Sequence, residues 1–181
     1  MENEWAEVVN NLIKIGLPSL VTGVVTVLGV KHNAKATHDK FFIEHKTKVL
    51  EKISDEVDEY FDSWEMVYSK IGAILKHKDH DLDEVKLTEN QIQAIVERDK
   101  ELIVSWSKKK SSLSKLRLLG ADEAANRLKD CGELEKQLRD MMFFEKEYPN
   151  YNQLNCMRKE ARTAQEKFHT ALSKFYGRLS S

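Results

Sequence analysis

The stretch LEKISDEVDEYFDSWEMVYSKIGAI, residues 50–74, decides the fold class. Its apolar residues Leu50, Ile53, Val57, Tyr60, Trp64, Val67, Ile71 and Ile74 alternate spacings of three and four. That is a heptad seam, which keeps one face of an α-helix apolar along its length. Glu51, Lys52, Asp55, Glu56 and Asp58 cover the other face. The pattern predicts a helix from about Ala34 to Lys76, long enough to need partners along its whole seam.

Downstream, residues 76–84 (KHKDHDLDE) form a charged connector. His77 and His80, with Asp79, Asp81 and Asp83, are metal-ligating types, but their spacing matches no specific site. Thr88 followed by Gln91 is a capping box that opens a second helix. Ile92, Ile95, Val96, Leu102, Ile103, Trp106, Leu113 and Leu116 give it an apolar face, and Gly120 closes it. Asp122 is expected to cap a third helix carrying Ala125, Leu128, Leu134, Leu138, Met141 and Met142. Tyr148-Pro149-Asn150 breaks the chain. A last helix from about Tyr151 to Leu179 turns Leu154, Ala161, Phe168, Leu172, Phe175 and Leu179 inward. The expected fold is all-α, an up-down bundle of four helices with short connections.

Composition agrees. Gly and Pro number only 7 and 2 in 181 residues, and 33% of the residues are charged. The net charge of -1 gives no general support to nucleic-acid binding. A local basic cluster, Lys108, Lys109, Lys110, Lys115 and Arg117, reads first as a solvated helix face. The two cysteines, Cys131 and Cys156, form no CxxC pair, so no zinc or redox framework and no cofactor is expected. There is no glycine-rich phosphate loop, no GxSxG and no HExxH.

The N-terminal part differs. Residues Ile15 to Val30 (IGLPSLVTGVVTVLGV) are 16 residues without charge. Extended back to Val8, the run can span a bilayer, but only marginally, with Lys14 snorkelling to the headgroups; a buried core helix is the rival reading. Glu2, Glu4 and Glu7 make a poor start for a signal peptide. Lys31, Lys35 and Lys40 follow the run, so the positive-inside rule places the C-terminal part in the cytoplasm. The expected division is a transmembrane segment over 1–33 and a helical bundle over 34–181. Asn11, Thr22 and Thr26 share a weakly polar stripe with Pro18 and Gly29, able to line a water-filled hole if several copies form a ring. Ser19 and Gly23 are a small-xxx-small pair suited to helix packing in lipid.

In the last helix, Arg162 and His169 stand seven residues apart, about two turns, on one face. Arg158 and Gln165 extend that polar stripe. A guanidinium can hold a phosphate and an imidazole can move a proton near neutral pH, without a metal.

A marginal membrane helix, a long heptad helix, a helical bundle and Arg162-x6-His169, in one short chain, resemble the small membrane accessory proteins of type VI-B CRISPR systems, which carry a divergent HEPN-like domain. The resemblance covers essentially the whole chain. It implies a ring-shaped homo-oligomer in the bacterial inner membrane, with a pore lined by Asn11, Thr22 and Thr26. Such a ring would strengthen antiphage defence beside an RNA-guided RNA-cutting effector. Where HEPN ribonucleases often have Asn, Asp or His after the arginine, this chain has Thr163. Arg162 and His169 are therefore expected to act in contacts or gating more than in catalysis. The alternatives are a membrane-tethered HEPN ribonuclease, with RNA as partner, and a passive scaffold recruiting a partner through the heptad helix.

Overall fold

The computed structural model of the chain describes residues 41–76, 78 and 85–179. The chain divides into two compact units, Met1–His45 and Lys46–Ser181. Of the first, residues 41–45 are described: they are helical, and Phe41, Phe42 and Ile43 are exposed. Residues 1–33, and with them the expected transmembrane segment, lie outside the described residues. Among the described residues no helix is long and apolar enough to cross a membrane, and there is no strand.

In the second unit α1 covers residues 46–75. Leu50, Ile53, Val57, Tyr60, Trp64, Val67 and Ile71 are all buried, as the heptad seam requires. The last seam position has drifted: Ile74 is half-buried and Leu75 is buried in its place. A straight helix of 3.6 residues per turn slips about 20° per heptad against a 3.5-residue repeat, which moves the inward position on by one residue. Phe61 and Tyr68 are buried beside the seam, because α1 is covered by all three other helices.

α2 is Glu89–Leu118 and opens as expected. The Gln91 backbone N–H donates to Thr88 Oγ1 at 3.3 Å, and the Thr88 N–H donates to Gln91 Oε1 at 3.0 Å. It ends in a Schellman turn, with the Gly120 N–H on the Arg117 carbonyl and the Ala121 N–H on that of Leu116. Gly120 takes φ 75°, which a residue without Cβ adopts at no steric cost.

α3, Asp122–Arg139, follows at once, and its N-cap is Ala121, without a side-chain hydrogen bond. Asp122, expected as the cap, instead lies in the first turn, where its charge faces the positive end of the helix dipole. Asp140–Glu145 continue as a π-helical turn that ends at Lys146, φ 57°. Past Pro149, Asn150 and Gln153 cap α4 reciprocally, backbone N–H to side-chain oxygen at 2.9 and 2.8 Å. α4 is Tyr151–Leu179.

The pairings give the topology. Glu59 meets Lys108 and Glu56 meets Lys115, so α2 runs antiparallel to α1. Asp99 meets Arg139 and Trp106 meets Glu135, so α3 runs antiparallel to α2. Asp58 meets His169 and Glu65 meets Arg162, so α4 returns antiparallel to α1. This is the up-down-up-down arrangement, with one hydrophobic core. Trp64, fully buried between Tyr60 and Tyr68, leaves its Nε1 without a hydrogen-bond partner among the described residues.

Candidate functional site

α4 presents Arg162 and His169 toward α1, and α1 meets each with an acid. Arg162 Nη2 donates to Glu65 Oε1 at 2.9 Å. The same carboxylate takes Arg158, whose Nε donates to Oε2 at 3.2 Å and whose Nη2 also reaches Ser69 Oγ at 3.1 Å. Two turns along, His169 Nε2 is 3.5 Å from Asp58 Oδ1, longer than a good hydrogen bond. The imidazole stands edge-on to Phe61 and Phe168, at 5.7 and 5.2 Å between centroids.

This register is a consequence of sequence. Asp58 and Glu65 are as far apart on α1 as Arg162 and His169 are on α4, so an antiparallel pair matches both at once. The seven-residue step rises about 10 Å along either helix. The guanidinium and imidazole are thus drawn to different carboxylates and do not converge on one reacting atom. Burial, and then the Arg162 charge, lower Arg158 below the usual guanidinium value. The side chains of Arg162 and His169 are 58% and 44% exposed. A groove of about 380 Å³ beside His169 is walled by Leu50, Ser54, Leu172 and Tyr176.

The strongest polar constellation lies elsewhere, between α1, α2 and α3. Glu135, 2% exposed, accepts from Tyr60 Oη, Trp106 Nε1 and Lys109 Nζ, each at 2.6 Å. The Lys109 ammonium also stands over the Tyr60 ring, 4.7 Å from its centroid. Gly132 lies beside the lysine stem, where an added Cβ would make ordinary contact with Lys109 Nζ at 3.4 Å. Burial, followed by the Glu135 charge, pushes the Tyr60 hydroxyl far above its usual range. Burial, then Asp130, pushes the Cys131 thiol up to about 12.

On one side of this cluster Arg139 forks onto Asp99 at 2.7 and 2.9 Å and covers the Trp106 ring. On the other, Glu56 takes Ser112 at 2.9 Å and Lys115 at 2.7 Å. Burial raises Glu56, but the hydrogen bonds from Lys115 and Ser112 outweigh it and leave the carboxyl below its ordinary value. Every donor around Glu135 is engaged, so the cluster holds three helices together and presents no free nucleophile or base.

The expected basic patch is largely neutralised. Lys108, Lys109 and Lys115 pair with Glu59, Glu135 and Glu56, leaving Lys110 and Arg117 exposed. His77, His80, Asp79, Asp81 and Asp83 lie outside the described residues, as do Asn11, Ser19, Thr22, Gly23 and Thr26. Among the described residues no group of three His, Cys, Asp or Glu side chains is placed to hold a metal.

Sequence reading passed over Glu135, Asp99 and Ser112. For Glu135 a signal was present: it sits seven residues after Leu128 and three before Leu138, on the apolar stripe of α3. A carboxylate there must be paired or neutral.

No family model, curated protein or solved structure matches the chain.

Proposed function

We propose that the chain is a membrane-anchored, self-assembling accessory protein of the type VI-B CRISPR kind, acting in antiphage defence as a ring-forming pore. The membrane part of this reading rests on the uncharged run of residues 15–30. The remainder rests on the resemblance and on the all-helical bundle. The observation that favours a pore or contact role over a ribonuclease is the pairing of Arg162 with Glu65, two turns away from His169. A metal-independent ribonuclease needs its arginine free for phosphate and its histidine close to the same reacting group.

The test is ion flux across liposomes reconstituted with the full chain, beside a version lacking residues 1–30. Flux from the full chain alone supports the pore. Confirmed insertion without flux, together with RNA cleavage abolished by His169→Ala, would replace it with the tethered ribonuclease. Neither activity, with an oligomer retained, would leave the scaffold.

A further inference from the structure

A cavity of about 890 Å³ opens where residues 85–87 cross the π-helical turn and the start of α4. That volume lies within the roughly 300–1,000 Å³ usual for small-molecule sites. Val85, Leu87, Met141, Pro149 and Met157 supply an apolar wall. Two of these are methionines, whose unbranched, rotatable side chains adapt to a flexible guest.

The charged groups on the wall are Lys86, Lys146 and Glu147. Elsewhere in the unit, cations at the helix seams are matched with acids: Lys109 with Glu135, Lys115 with Glu56, Arg139 with Asp99. Neither the Lys86 nor the Lys146 ammonium has an acid within ion-pair distance among the described residues. Among the described residues the wall carries two lysines and one glutamate.

Backbone geometry singles out Lys146. It holds φ 57° immediately after the π-helical turn, a position where glycine or asparagine is the usual occupant. The left-handed residue ends the helical turn, with the Glu147 N–H on the Met141 carbonyl, and so fixes where the Lys146 stem leaves the backbone. Lys86 is also fixed from behind, because the Lys78 ammonium donates to its carbonyl oxygen.

We propose that this cavity binds a single-chain amphipathic monoanion, a fatty carboxylate, with its alkyl chain on the methionine wall and its head group at Lys86 and Lys146. The two lysines suit an anionic head group, and the apolar wall suits a single alkyl chain. The proposal rests on the cavity alone and is independent of the pore reading.

Cys156 forms part of the same wall and is exposed, whereas Cys131 is buried. Maleimide labelling of Cys156 in the full chain therefore reports occupancy, with Cys131 silent in the same sample. The probes are decanoate, decanol and decylammonium, each below its micelle concentration. At about four times its dissociation constant, decanoate is expected to slow labelling about fivefold. Decanol and decylammonium at that concentration are expected to change the rate less than about twofold. The double variant Lys86→Glu, Lys146→Glu, checked for an unchanged circular dichroism spectrum, is expected to lose the decanoate effect. No protection by decanoate overturns the proposal. So does equal protection by all three probes, which means an apolar surface without head-group recognition. Protection that survives the double charge reversal also overturns it, and moves the guest to the groove between α3 and α4 that Cys156 also borders.

Discussion

Replacing Lys109 by methionine is the most informative single perturbation of the bundle. Glu135 is 2% exposed on its side chain and Lys109 22%. Removing the lysine strands a carboxylate that cannot reach water, with only the Tyr60 hydroxyl and the Trp106 N–H left to compensate it. Breaking a buried pair in this way costs about 3–5 kcal/mol. The converse change, Glu135→Gln, strands a lysine that can swing its ammonium outward. It also keeps one acceptor for three donors, so about 2–3 kcal/mol is expected. The double variant leaves neither charge buried and should lose clearly less than the two single losses added together. The assay is urea unfolding of the full chain, followed by circular dichroism and by tryptophan emission. Single losses below about 1 kcal/mol that simply add would refute the reasoning, because such values belong to an exposed pair.

Three further outcomes follow from other parts of the bundle. Glu56 has its folded pKa lowered, so its contribution is present above the unfolded value of 4.5 and lost as pH falls through the folded value. Glu56→Gln should therefore cost about 1–2 kcal/mol at pH 7 and flatten the loss of stability below about pH 5, as read by denaturant titration at several pH values. Gly120→Ala should destabilise by about 1 kcal/mol, because of its φ of 75°; Gly177→Ala, with nothing within 4 Å of the added methyl, should gain about 0.5 kcal/mol. Thermal melts distinguish the two signs. With a thiol reagent, the native protein should titrate Cys156 alone, and Cys131, whose thiol is buried and pushed up to about 12, should react only on unfolding.

Periodicity made the helices legible, since repeating apolar positions report a buried face whatever lies against it. The capping box at Thr88 and the stop at Gly120 were equally readable, being local chemistry within a few residues. The cap of α3 was not: Asp122 is a good capping type, but the Schellman turn had already committed Ala121 to that position. The π-helical turn at Asp140–Glu145 leaves no periodic trace over so short a run. Arg162 and His169 could be placed on one face from spacing alone. Their partners could not, because Glu65 and Asp58 are identified only once α1 and α4 have a register. The cavity at Lys86 and Lys146 joins segments far apart in sequence, and no local pattern announces it.

The central position of α1 also sets a timetable. Its contacts with α4 link residues 93 and 97 apart, Glu65 with Arg158 and Arg162. During synthesis at about 5–20 residues per second, α1 therefore waits roughly 5–20 s before the helix that covers Phe61 exists. Throughout that interval its aromatic flank faces the ribosome surface, chaperones and neighbouring nascent chains. α4 is the helix that ends this exposure, so a chain stalled before Tyr151 carries an open seam, and a pause in translation prolongs its most aggregation-prone state.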